Sequence, residues 1–131
     1  MGMSDYEVGV VLATADIKAA REFYEGKLGL TPGEIPDDPS VPIVYECGKG
    51  TALSVYVSPE HAGKSTATLA GWVVDDLEKV VDELTANGVT FERYDTDDLK
   101  TNEKGIVEFD GAPGVAFFRD PDGNTHGVNQ A

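Results

Sequence analysis

The sequence has one cysteine, Cys47, and two histidines, His61 and His126, too few for an internal disulfide or a thiolate metal cluster. Cys47 is accordingly expected to be a small core residue. Basic residues are also scarce, 10 against 24 acidic ones, which leaves a net charge of −14. Such a surface repels polyanions, so nucleic acid and anionic membranes are excluded as partners. Its first effect is solubility, and it would also attract a cationic small molecule. No apolar run approaches the roughly 18 residues of a membrane span, and Met1 to Ser4 lead directly into a strand pattern without a signal-peptide arrangement. A cytoplasmic protein is expected. What remains, 131 residues with 40% hydrophobic and 26% charged, suits one compact domain rather than a disordered chain.

A repeat organises the chain. In "VGVVLATADIKAAREFYEGKLGL" an apolar run from Val8 to Ala13 passes into a helical pattern with Ile17, Ala20, Tyr24 and Leu28 inward and Lys27 and Gly29 at its close. Sixty residues later "LAGWVVDDLEKVVDELTANGVTF" repeats it, with Leu77, Val80, Val81 and Leu84 on one face. Asn87 and Gly88 stop the second helix, and Asp75 with Glu78 has capping-box spacing. Strand patterns follow at 30–35, 41–47 and 51–58 in the first half, and at 89–94, 105–109, 114–119 and 124–130 in the second. The fold class read from this order is α+β, two βαβββ modules. Module one covers about 6–58, a linker 59–66, and module two about 67–131.

Two local features invite functional readings. The linker "SPEHAGKST" imitates a phosphate loop, but position 58 is Ser rather than the required Gly and a strand pattern, not a helix, follows Lys64. Nucleotide binding is rejected. The stretch "DTDDLKTNEKG", Asp95 to Gly105, is irregular enough to form the rim of a site.

The segments "ADIKAAREFYEGKLGL", "VDDLEKVVDELTANGVTF" and "FFRDPDGN" together resemble the paired modules of the vicinal oxygen chelate superfamily, the glyoxalase, bleomycin resistance protein and dioxygenase group. The resemblance covers almost the whole chain. It implies an open, incomplete barrel around a cavity, and pairing as a homodimer. In metal-using relatives a divalent ion is held by a His near the start of each module's first strand and by acidic donors on the last strand of each module. The matching positions here are Gly9, Leu69, Ser54 and Gly127. None offers the family's ligand, so no metal and no cofactor are expected.

Side-chain alternation places His126 on the face opposite Gly127, which makes it a structural residue, and His61 in the linker is expected to be solvated. Glu46, Glu108 and His126 remain the alternative donors of a displaced metal site. "DPDGN" reads as a hairpin turn and Trp72 as core. The resemblance, less its metal, implies a small-molecule binding or sequestering protein of the bleomycin-resistance type. Its ligand is expected to be cationic or aromatic, held by Tyr56 as anchor with Ser54, Asn129, Tyr94 and Phe117 around it. The alternative is a lyase, isomerase or dioxygenase with non-standard ligands.

Overall fold

The computed structural model describes residues 2–131. Its contacts divide the chain into two compact units between Lys64 and Ser65. Each is a mixed α+β unit with one sheet.

In the first unit the sheet is formed by β1 (Val10–Thr14), β2 (Ile43–Glu46) and β3 (Ala52–Val57), in the order β1-β3-β2. β1 pairs with β3 in parallel and β2 pairs with β3 antiparallel. Leu12, Ile43, Tyr45, Leu53 and Val55 are buried on one face of this sheet. Helix α1 (Ile17–Arg21) follows β1, and the Asp16 carboxylate caps it by accepting from the amides of Lys18 at 3.0 Å and Ala19 at 3.3 Å.

The periodicity of this helix is not the one that the sequence suggests. After Arg21 the chain widens into a π-helical segment, Glu22–Lys27, in which the Leu28 amide donates to the Phe23 carbonyl at 3.0 Å. The wider turn lets two consecutive rings, Phe23 and Tyr24, point inward together, at 6% and 0% exposure. Ile17 and Leu28, expected inside, are only half-buried. Tyr24 meets Phe23 edge-on at 5.2 Å and stacks on Tyr45 at 6.1 Å. The Tyr45 hydroxyl donates to Glu25 Oε2 at 2.9 Å, and Arg21 Nε reaches the same oxygen at 2.8 Å. The Arg21 hydrogen bond, with help from Tyr45, holds the Glu25 carboxyl below its usual range.

Two expected elements shrink for identifiable reasons. The 30–35 strand is a single bridge, Pro32 to Tyr45, because Pro32 and Pro36 have no amide hydrogen to extend a ladder. Cys47 is half-buried rather than core, with a long contact of 3.6 Å from its thiol to the Tyr45 carbonyl.

The second unit has a four-stranded sheet of β4 (Thr68–Val74), β5 (Ile106–Phe109), β6 (Ala112–Arg119) and β7 (Thr125–Gln130), in the order β4-β7-β6-β5. Its helix α2 (Leu77–Ala86) packs Leu77 and Val81 into the core and stops at Gly88, whose φ is +97°. The cap is Asp76 rather than Asp75: its carboxylate accepts from the Lys79 amide at 3.2 Å, and it stands sixty positions after Asp16. Asp76→Ala should therefore destabilise the protein by about 1 kcal/mol and Asp75→Ala by much less, as read from urea melts. A larger effect at Asp75 would contradict this assignment. From β7, Gln130 adds to the same helix end, accepting from the Leu77 amide at 2.9 Å and donating to the Asp75 carbonyl at 2.6 Å.

The 89–94 stretch is also reduced to a bridge, Phe91 to Phe118. The stretch from Asp95 to Gly105 is folded rather than irregular. Asp95 bridges Lys100, Thr96 and Leu99 exchange hydrogen bonds, and the Arg93 guanidinium donates to the carbonyls of Asn102 and Glu103. "DPDGN" is the β6–β7 turn. Asp120 Oδ1 accepts from the amides of Asp122 at 3.0 Å and Asn124 at 2.9 Å, and the Asn124 side-chain amide donates to Asp120 Oδ2 at 2.9 Å.

Candidate functional site

Each sheet has one face towards its helix and one helix-free face, and the alternation of side chains decides which residues go where. In the second unit the helix face carries Ala70, Trp72, Ala116, Phe118, His126 and Val128. His126 is fully buried there. Its ring stacks on Phe118 at 4.7 Å, and its Nδ1 accepts from Trp72 Nε1 at 3.0 Å. That bond fixes the lone pair on Nδ1 and hence the proton on Nε2. Burial pushes the imidazole down to about 4, with the Asp120 charge acting weakly in the other direction. A neutral, stacked histidine of this kind organises a core.

The helix-free face of the same sheet has a different character. Gly71 on β4, Gly127 on β7 and Phe117 on β6 are register partners in one row, and Val73, Asn129 and Val115 form the next. A Cβ built on Gly127 would lie 3.4 Å from both Phe117 Cε1 and Thr68 Cγ2, so an aromatic ring and a methyl group fill the space above that glycine. Tyr94 meets Phe117 edge-on, with ring centroids 6.0 Å apart. The folded 95–105 stretch fixes Tyr94 in place: Thr101 accepts from its amide at 3.0 Å and donates to its carbonyl at 2.9 Å. Asn129 Nδ2 donates to the Trp72 carbonyl at 3.3 Å.

Of the expected site residues, Tyr94, Phe117 and Asn129 thus share one surface of the second unit. Ser54 and Tyr56 lie together in the first unit, both half-buried on the helix-free face of β3, where Ser54 is the register partner of Val11 and Val44. Two features of the second surface escaped the sequence reading. A bulge between Thr68 and Ala70 sets two β4 residues against one on β7, so that Thr68 rather than Leu69 covers Gly127. The folding back of 95–105 onto Tyr94 depends on side-chain hydroxyls that carry no periodic signal.

The positions that hold a divalent ion in metal-using relatives do not fit one here. Gly9 and Gly127 have no side chain, and a Cβ on Gly9 would sit 3.0 Å from the Ala52 carbonyl oxygen. Glu46 and Glu108 are exposed, and His126 faces the helix side with Nδ1 already engaged. Among the described residues no three of His, Cys, Asp and Glu form a group able to hold a metal.

A profile of the Glyoxalase/Bleomycin resistance protein/Dioxygenase superfamily matches residues 8–127, and the chain belongs to that superfamily. Solved structures share the fold. A glyoxalase/bleomycin resistance protein from Catenulispora acidiphila superposes with a TM-score of 0.70 at 23% identity, over 95% of this chain and 97% of that one. TnmS3, an antibiotic binding protein from a Streptomyces species, gives 0.66 at 21% identity, over 95% and 94%. A protein from the mobile metagenome of V. pseudocholerae gives 0.61 at 25% identity, over 99% and 96%. No curated protein sequence matches significantly. Among the described residues no helix is long and apolar enough to cross a membrane.

Proposed function

We propose that this chain is a metal-independent small-molecule binding protein that sequesters its ligand in the manner of a bleomycin resistance protein. The observation that carries the reading is the Phe117 ring packed with Thr68 over Gly127, where metal-using relatives present a carboxylate. Two rings, a glycine row and a side-chain amide recognise shape and hydrogen-bonding groups, and that combination suits binding. The likeness to an antibiotic binding protein supports the same direction. The net charge of −14 favours a cationic or neutral ligand over an anion. We further propose that the protein acts as a homodimer, since β1 of the first sheet and β4 of the second each have an outer edge that no strand of their own sheet pairs.

A thermal-shift panel of aromatic and cationic antibiotics tests the reading directly. A ligand at one hundred times its Kd should raise the unfolding free energy by about 2.7 kcal/mol. Phe117→Ala should weaken a ligand that stacks on the second unit, and Tyr56→Ala one anchored on the first, each by roughly 0.5–1.5 kcal/mol beyond lost contact area. Elemental analysis should find no stoichiometric divalent metal, and chelators should leave the melting curve unchanged. One metal per chain, or a panel with no ligand at all, would overturn the proposal. Sedimentation at micromolar concentration decides the dimer, and a monomer counts against it.

A further inference from the structure

Gly71 is the least explained residue of the second unit's helix-free face. A glycine inside a strand weakens it and is otherwise found at a bulge, a positive φ or a place where something approaches the backbone closely. The β4 bulge lies earlier, between Thr68 and Ala70, and φ at Gly71 is not in the left-handed region. Packing does not demand a glycine either: Gly71 is exposed, and a Cβ there would meet only Asn129 Nδ2, at 3.7 Å. The strand thus presents bare backbone beside the Asn129 amide. Val73, 73% exposed, stands two residues along the same strand and gives the bare patch an apolar wall.

Asn129 supplies the polar half of the argument. The Trp72 carbonyl can only accept, so the amide must turn Nδ2 towards it, at 3.3 Å, and Oδ1 away. Oδ1 receives no hydrogen bond from any described residue, although Asn129 is half-buried. It is an open acceptor on the residue whose Nδ2 flanks the bare backbone of Gly71.

We infer that Gly71 and Asn129 form a subsite for a planar ring bearing an N–H or O–H donor, the ring lying on the Gly71 backbone and the donor reaching Asn129 Oδ1. This deepens the binding reading above and rests on it. A carboxylate placed at Oδ1 would set acceptor against acceptor and would be repelled by the acidic protein, so that position discriminates between donors and anions of one shape.

The test uses three naphthalenes of nearly equal size, with the full chain. Binding of 2-naphthol, 2-methoxynaphthalene and 2-naphthoate is titrated by NMR, following the backbone amides of β4 and β7 in every variant and, in the chains that keep it, the Asn129 side-chain amide identified by its loss in Asn129→Leu. Wild type should prefer 2-naphthol over the methyl ether by roughly three- to tenfold, the worth of one net hydrogen bond, and should bind 2-naphthoate most weakly. In Asn129→Leu the naphthol and its ether should bind equally. Gly71→Val should weaken both by tenfold or more, and Gly71→Ala by less, with melting curves confirming that each variant folds. Persistence of the naphthol preference in Asn129→Leu, or unchanged affinity in Gly71→Val, overturns the subsite. So does failure of all three naphthalenes to bind while a panel antibiotic does, and in that case the general binding reading stands. If nothing in either set binds, the general reading falls and the subsite with it.

Discussion

Lowering the pH from 6.5 to about 4 should remove about 3 kcal/mol of stability through His126 alone. The folded-state value of this imidazole is depressed below its ordinary 6.5 because the ring is buried between Phe118 and Trp72. As the pH falls, the unfolded chain therefore takes up the proton first. Stability is fully present above 6.5, declines through the window and is flat below the folded value, where both states are protonated. Protonation would also place a proton on Nδ1, the atom that accepts from Trp72 Nε1, and so break that bond. Carboxylates titrate in the same range, so the test is a difference. Urea unfolding of wild type and His126→Gln, a variant that keeps an acceptor for the indole, should give free energies that converge by about 3 kcal/mol between pH 7 and pH 4. Parallel curves would show that His126 is not buried as a neutral ring.

Tyr24→Ala should be the most damaging truncation in the first unit, costing about 3–5 kcal/mol. The ring is fully buried, touches Phe23 edge-on and stacks on Tyr45, and the cavity left behind cannot collapse without moving the π-helical segment that sets it in place. A loss of that size is a large share of the 5–15 kcal/mol typical of a domain, so the variant should unfold at much lower urea. Val44→Ala, on the exposed side of the neighbouring β2, is the control and should cost about 0.5 kcal/mol or less. Equal effects at the two positions would mean that the Tyr24 ring is not part of the core.

What the sequence revealed follows from what repeats. Helix α2 was legible because Leu77, Val80, Val81 and Leu84 keep one period, and the terminal turn because Asp120, Gly123 and Asn124 each have a specific role in it. The π-helical segment was not, since adjacent Phe23 and Tyr24 fit no single helical face until the turn widens. The 30–35 stretch looked like a strand by hydrophobicity, but Pro32 within it and Pro36 just after it limit hydrogen bonding, and they won. At the site, alternation placed Gly127 and Asn129 on one side of the sheet and His126 on the other. It failed at Leu69, where a one-residue bulge resets the count, because a bulge is a backbone event without a side-chain signature.

The parallel pairing of β4 with β7 bears on how the protein is made. β4 is the first strand of its unit to leave the ribosome, yet its hydrogen-bonding neighbour is the last, with α2, β5 and β6 synthesised between them. At about 5–20 residues per second, the apolar β4 edge waits several seconds for that partner. During this interval the nascent chain displays Leu69, Trp72 and Val73 to any passing chaperone, or to a neighbouring copy on the same polysome. The first unit reaches its own parallel partner, β3, sooner, so the two halves of the repeat differ in the time for which they are vulnerable during translation.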